Sequence, residues 1–172
     1  MSTMTYLSEG VLSHGLRVAV RPMSPDDRAE LQAGFQQLSE DTKYRRFMCS
    51  KPRLTSADAH LLFDCEGLAV VLVWPRTSCD DVVLGIAHAI PVPGQPGTAE
   101  FCVVVADEIQ GRGAGHLLTD ALVQQARLEG IEYLTGYMFA SNKAPARLLA
   151  GAGEVIEDRI EAGAREMKVR IS

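Results

Sequence analysis

Long hydrophobic runs are missing from this 172-residue sequence. Its longest apolar stretches are residues 67–74 and 82–92. Both are too short for a membrane-spanning helix, which needs about 20 residues. Residues 1–15 also lack the basic region and apolar segment of a secretory signal peptide. We therefore expect a cytoplasmic protein that does not associate with a membrane.

Basic charge and metal-binding patterns are also scarce. The formal net charge is −5, which argues against a nucleic-acid-binding protein, since such proteins carry clustered basic residues. The four cysteines and four histidines have neither the spacing of a zinc site nor that of a disulfide framework. They are Cys49, Cys65, Cys79, Cys102, His14, His60, His88 and His116. We predict no metal and no nucleic-acid partner.

The composition is that of an ordinary globular domain. Hydrophobic residues make up 47% of the chain and charged residues 23%, so a core can form without metal or disulfide support. A chain of this length most simply folds as one unit, and we predict a single domain over residues 1–172.

Hydrophobic periodicity predicts a mixed α/β fold. The predicted strands are residues 16–21, 68–74, 82–90, 98–105, 132–139, 155–160 and 166–171. The predicted helices begin near Ser24, Thr55, Gly115 and Ser141, whereas the polar residues 39–52 are interpreted as a loop. The strand–helix–strand unit over 98–139 demands one parallel pair in a mostly antiparallel sheet of six to seven strands with about four helices.

A glycine-rich turn joins the strand at 98–105 to the helix that follows it. Gln110-Gly111-Arg112-Gly113-Ala114-Gly115 lets the backbone turn sharply and approach a ligand closely. The first amides of the helix have no partner within it, and together with the helix dipole they favour a phosphate group. Arg112 adds a cation to the turn. A plain connecting turn without a ligand is the alternative.

The turn is neither of two common phosphate loops. No lysine follows the glycines as in the Walker motif, and glycines at 111, 113 and 115 do not fit the dinucleotide fingerprint. Gln110-x-x-Gly113-x-Gly115 instead resembles the acetyl-CoA pyrophosphate motif of the GCN5-related N-acetyltransferase (GNAT) superfamily. The order of predicted elements agrees with that family over nearly the whole chain. The resemblance implies the GNAT fold and acetyl-CoA as cosubstrate.

A second segment strengthens the resemblance. "LSEDTKYRRF", residues 38–47, is similar to the LS-x-x-S-x-Y-x-R-F segment of the branch that includes bacterial protein-lysine acetyltransferases, with Thr42 in place of the usual serine. This similarity implies an amine acceptor, either a protein lysine or a small amine.

The resemblance also implies individual site residues. The residues expected to bind the cofactor are Val103, Val104, Val105, Gln110, Gly111, Arg112, Gly113, Ala114, Gly115 and Asn142. Glu100 is expected to be the general base, because a lysine amine with a pKa of about 10.4 must lose a proton before it attacks. Glu66 is the second candidate for that role. Asn142 has an alternative role as a helix cap, and Arg147 is either a phosphate contact or an exposed helical residue.

The sequence departs from the family at the general acid. Leu149 stands where many members have a tyrosine that protonates the leaving thiolate, and Tyr137 is a weaker substitute. We therefore weigh three functions: an acetyl-CoA-dependent N-acetyltransferase, a non-catalytic acyl-CoA-binding sensor of the same fold, and a structural domain that does not bind CoA. A homodimer is compatible with each.

Overall fold

Eight strands form one mixed sheet in the computed structural model, which describes residues 5–49, 55–60, 67–76 and 81–172. The strands are β1 (Ser8–Val11), β2 (Arg17–Pro22), β3 (Leu68–Trp74), β4 (Val82–Pro91), β5 (Thr98–Val105), β6 (Tyr133–Phe139), β7 (Glu154–Glu161) and β8 (Ala164–Arg170). The helices are α1 (Arg28–Gln37), α2 (Glu40–Phe47), α3 (Ser56–Ala59), α4 (Ala114–Leu128) and α5 (Lys143–Gly151).

The sheet order is β1-β2-β3-β4-β5-β6-β8-β7, and only β5 and β6 are parallel. The predicted antiparallel connection of β3, β4 and β5 and the terminal hairpin of β7 and β8 are confirmed. The sheet has one strand more than the upper predicted number. Strand β1 was not predicted, because it is only four residues long and alternates between half-buried and exposed positions.

Helices cover both faces of the sheet. Helices α4 and α5 pack on one face, where Leu118, Leu122 and Leu149 are fully buried in the larger core cluster. Helix α1 packs on the other face, where Leu31 contacts the smaller cluster around Val71 and Ile86. In the ranges that the structure covers, no helix is long and apolar enough to cross a membrane.

Helix α2 corrects the prediction of a loop over residues 39–52. Its average hydropathy is low, so no apolar stripe marked it in the sequence. The helix instead begins at a capping serine: the Oγ atom of Ser39 accepts a hydrogen bond from the backbone N–H of Thr42 at 3.2 Å. Acidic residues occupy its first turn and arginines its last turn, which suits the helix dipole.

Candidate active site

Strand β5 separates from β6 after three paired residues. Thr98–Glu100 pair with Tyr133–Thr135, after which β6 continues along β8 and β5 along β4. The N–H of Ala106 donates to Leu84 in β4 at 2.9 Å. Because backbone groups alternate in direction along a strand, those of Val103 and Val105 point away from β4 and into the gap. This edge can bind an extended amide-bearing ligand in the manner of an added strand.

The glycine turn lies at the end of this gap, and its positions require glycine for different reasons. Gly111 and Gly113 have φ values of 70° and 98°, the left-handed region that glycine adopts without strain. Gly115 lies inside α4, where a Cβ atom would be 2.9 Å from the side chain of Leu148 in α5. Gly113 is the N-cap residue and provides no capping side chain. The first amides of α4 are therefore available to an anion.

One groove connects the open edge of β5 with the start of α4. Its volume is about 480 Å³, which is within the usual range for ligand sites. It is lined by nine of the ten residues predicted to bind the cofactor: Val103, Val104, Val105, Gln110, Gly111, Gly113, Ala114, Gly115 and Asn142. Arg112 does not line it. The groove therefore offers amides for a diphosphate and an open strand edge for an extended amide arm. The binding roles of its individual residues remain predictions.

Helix α2 forms a wall of the groove that residue patterns did not identify. Arg45 and Arg46 line it from α2, and His116 and Arg147 line it from α4 and α5. Arg45 is paired with Asp41 at 2.9 Å. Asp41 offsets the charge of Arg45, so Arg46 and Arg147 provide the positive charge of the groove in a protein with a net charge of −5. The sequence contained one indication of this wall, the similarity of residues 38–47 to a family segment. It did not show that this segment lies next to the glycine turn.

Asp107 fastens α2 to the connection between β5 and α4. Its carboxylate accepts hydrogen bonds from the backbone N–H of Ser39 at 2.8 Å and from the hydroxyl of Thr42 at 2.6 Å. Burial alone would raise the pKa of Asp107, but the hydrogen bonds from Thr42 and Ser39 outweigh it and lower the pKa. The Nε2 atom of Gln110 donates to the carbonyl of Val105 at 3.0 Å. The side chain of Gln110 thus supports the shape of the loop.

Glu100 is the last residue of β5 that pairs with β6, and it is exposed to solvent. It shares a face with Cys102, whose Sγ atom is 3.8 Å from the carboxylate of Glu100. Glu100 does not line the groove itself; it precedes Val103 by three residues, or about 10 Å along a strand. The other predicted base, Glu66, lies outside the described residues.

Three further predicted positions are now located. Leu149 is fully buried, and its Cδ2 atom is 2.7 Å from where a Cβ atom of Gly136 would be, so this position faces the core rather than the groove. Tyr137 is 63% exposed on β6 and does not line the groove. Asn142 precedes α5 without a capping hydrogen bond from its side chain, and it lines the groove. The described residues contain no His, Cys, Asp or Glu cluster suited to a metal ion.

Comparison with known proteins identifies relatives of the same class. The chain is 29% identical over 137 residues to the acetyltransferase Pat of Mycolicibacterium smegmatis, covering 79% of this chain and 40% of that protein. It thus spans two fifths of the length of that relative. It is 28% identical over 148 residues to the acetyltransferase PA5475 of Pseudomonas aeruginosa, covering 84% of this chain and 78% of the relative.

Solved structures agree on the fold. The GNAT domain of S. lividans PAT superposes with a TM-score of 0.78 at 22% identity, covering 95% of this chain and 96% of that domain. The structure of yncA from Salmonella typhimurium with acetyl-CoA gives a TM-score of 0.64 at 20% identity, covering 90% and 94% of the two chains.

The family match confirms the resemblance found in the two sequence motifs. The model of the acetyltransferase (GNAT) family matches residues 33–151, which include β3 to β6, the glycine turn and all of α5. The GNAT fold predicted from the order of elements is also confirmed, as is the predicted enzyme class, an acetyl-CoA-dependent acyltransferase. The chain belongs to the acetyltransferase (GNAT) family.

Proposed function

We propose that this protein transfers an acetyl group from acetyl-CoA to a primary amine, such as a protein lysine. The observation that carries the proposal is the single groove that joins the open edge of β5 to the unpaired amides at the start of α4. Family membership and the names of the relatives support it. The motif over residues 38–47 favours a protein lysine as acceptor, and a small amine is the other candidate.

The groove residues divide the binding of acetyl-CoA between two ends. The amides of Ala114 and Gly115, with the helix dipole behind them, would bind the diphosphate, and Arg147 and Arg46 would add positive charge. The backbone groups of Val103 and Val105 would bind the extended arm. When bound, acetyl-CoA supplies the thioester from which the acetyl group is transferred.

The residues beside the open edge would carry the proton chemistry. The N–H of Val103 points into the gap and would donate a hydrogen bond to the thioester carbonyl, which favours the negative charge that develops there. Glu100 would take the proton from the amine through a short chain of water molecules, since the groove begins about 10 Å from it along β5. No tyrosine stands at the buried position of Leu149. A thiol pKa near 8.5 makes CoA thiolate a tolerable leaving group without full proton donation.

A Glu100→Gln variant tests the catalytic role. We expect kcat with a panel of lysine peptides and small amines to fall about 100-fold while the affinity for acetyl-CoA is unchanged, because only the proton acceptor is lost. Glu9→Gln on β1, at the far side of the sheet, is the matched control and should retain full activity. Release of CoA is the readout, and calorimetry measures affinity.

The same experiment separates the two alternatives. A sensor domain would bind acetyl-CoA but release no CoA with any amine, and Glu100→Gln would leave its binding unchanged. Equal turnover by Glu100→Gln and the wild-type protein would remove Glu100 from the mechanism. Calorimetry without heat from acetyl-CoA or CoA would favour a structural domain and overturn the proposal.

The proposal also includes the domain organisation, the location and the assembly of the protein. Residues 1–172 form one N-acetyltransferase domain that acts in the cytoplasm as a monomer or a homodimer. Light scattering after size-exclusion chromatography measures the assembly directly. A stable species larger than a dimer would contradict this part of the proposal without affecting the catalytic part.

A further inference from the structure

We propose that an apolar cavity next to the groove receives the acyl chain, so that CoA thioesters with three or four acyl carbons bind more tightly than acetyl-CoA. This inference rests on the proposed function, since it concerns the acyl group of the same cosubstrate. It concerns the face of the sheet that α1 and α2 cover, opposite to the core formed by α4 and α5.

The cavity lies between these two helices and strands β4 and β5. Leu31 and Phe35 line it from α1, Phe47 from α2, Ile86 from β4, and Cys102 and Val104 from β5. The cavity and the groove have three lining residues in common, and these are Arg46, Val103 and Val104. The two spaces therefore meet at the stretch of β5 whose open edge is proposed to hold the thioester.

The cavity size limits the acyl chain. Its volume is about 80 Å³. An engineered cavity of about 150 Å³ binds benzene, which has six carbons, so this one has room for about three. Acetyl places one carbon beyond its carbonyl, propionyl two and butyryl three. Butyryl would fill the space, and hexanoyl would exceed it.

The lining favours an alkyl chain over a charged one. Most of the wall consists of the apolar side chains named above. Glu30 lines the cavity but accepts a hydrogen bond from the backbone N–H of Val83 at 2.9 Å. Arg46 lies with its guanidinium 5.0 Å from the ring of Phe47, at the junction with the groove. An acyl chain with a terminal carboxylate would lose its hydration among these apolar walls, so succinyl-CoA should bind weakly.

Gly34 offers a way to fill the cavity without altering β5. It lies on α1, lines the cavity, and a Cβ atom added there meets no atom within 4 Å. Gly34→Leu also improves helix propensity, so the variant is expected to fold. Ala33→Leu is the matched control, because Ala33 is exposed on the same helix, as Gly34 is, but does not line the cavity. Leu31→Ala enlarges the cavity instead.

Calorimetry on the full chain with CoA and with acetyl-, butyryl-, hexanoyl- and succinyl-CoA tests the inference. Each methylene moved from water into an apolar site is worth about a fourfold gain, so butyryl-CoA, with two methylenes more, should bind about fifteenfold more tightly than acetyl-CoA. Gly34→Leu should abolish that difference while leaving the affinity for CoA unchanged, and Ala33→Leu should preserve it. Leu31→Ala should shift the preference towards hexanoyl-CoA.

Several results would overturn the inference while leaving the proposed function intact. The first is equal affinity for butyryl- and acetyl-CoA, and the second is the same acyl preference in Gly34→Leu and Ala33→Leu. The third is that succinyl-CoA binds most tightly, which would indicate that Arg46 contacts the acyl group. A Gly34→Leu variant that raises KM for the amine but keeps the acyl preference would assign the cavity to the acceptor. Failure to bind CoA itself would remove the proposed function and this inference together.

Discussion

Arg21 holds two carboxylates in the interior of the protein. Its guanidinium donates two hydrogen bonds of 2.8 Å to Asp27, and its Nε atom lies 3.3 Å from Asp81. Arg21 is 6% exposed and Asp27 5%. Burial would raise the pKa of Asp27, but the hydrogen bonds from Arg21 and from the backbone of Ser24 outweigh it and lower the pKa. Asp27, three residues after the Ser24 where the sequence predicts a helix to begin, is therefore one half of a buried ion pair.

The lowered pKa gives a signed prediction for stability. Asp27 binds a proton more weakly in the folded than in the unfolded protein, so its contribution is complete above the ordinary value of 3.8 and is lost as pH falls through the lower folded pKa. Asp27→Asn should reduce the free energy of unfolding at pH 7 by about 3 kcal/mol and flatten the acid limb of the stability curve. Urea titrations from pH 3 to 7 measure both effects. An unchanged acid limb in the variant would contradict this assignment.

Helix α2 is positioned by a contact between residues distant in the sequence. Ser39 and Asp107 are 68 residues apart, yet their hydrogen bonds align α2 with the groove. The usual serine of the family segment is Thr42 here, and its hydroxyl makes the shortest of these bonds. The segment over residues 38–47 thus has a physical role: it places Arg45 and Arg46 opposite the start of α4.

Asp107→Asn should loosen this wall of the groove. A hydrogen bond to a charged group is worth about 1.5–3 kcal/mol, so we expect KM for acetyl-CoA to rise about tenfold with little change in kcat. Thr42→Ser keeps the hydroxyl and should retain wild-type kinetics, whereas Thr42→Val should behave like Asp107→Asn. Steady-state kinetics with acetyl-CoA as the varied substrate measure this. A fall in kcat at constant KM would instead place Asp107 in the chemical step.

Most elements were predictable, because local pattern determines them. Strand β5 has the predicted bounds, and α4 begins within the glycine turn, as predicted. Helix α2 was missed, because only two of its eight residues, Tyr44 and Phe47, are apolar, and its cap and its contact with Asp107 leave no hydrophobic periodicity in the sequence. The helix predicted to begin near Thr55 begins at Ser56 after a Thr55 cap, and residues 61–66 lie outside the described part.

The sequence predicted those parts of the candidate site in which backbone groups, rather than side chains, face the groove. Val103, Gly113 and Gly115 are proposed to act through amides or through a missing side chain, and such roles leave a short motif in the sequence. Arg46 and Arg147 contribute charge from two separate helices and His116 lines the groove from a third, and no spacing in the chain reports that they meet. The apolar cavity is likewise formed by contacts between distant segments.

The whole molecule combines a negative net charge with a positive groove. The net charge of −5 repels an anion at long range, whereas Arg46 and Arg147 attract it locally. Salt screens both effects over about 10 Å at 0.1 M ionic strength. The affinity for CoA therefore depends on which charges are near the bound phosphates.

Arg147→Gln and Arg112→Gln should differ, although Arg112 lies in the glycine turn and Arg147 lies on the helix next to the groove. Arg147 lines the groove and Arg112 does not, so Arg147→Gln should weaken CoA binding about fivefold at low salt and reduce its salt dependence. Arg112→Gln should leave both unchanged. Calorimetry between about 20 and 200 mM salt measures this. Equal effects of the two substitutions would show that the turn binds the phosphates in another orientation.

The early separation of β5 from β6 has a consequence for the motions of the protein. Three residue pairs are all that join these strands, so the β1–β5 half of the sheet and the β6–β8 half are coupled weakly at this seam. An occupant of the gap would act as a bridging strand between the halves. In hydrogen–deuterium exchange, the amides of Val103 and Val105 should exchange rapidly in the free protein and slow down sharply once the seam is filled.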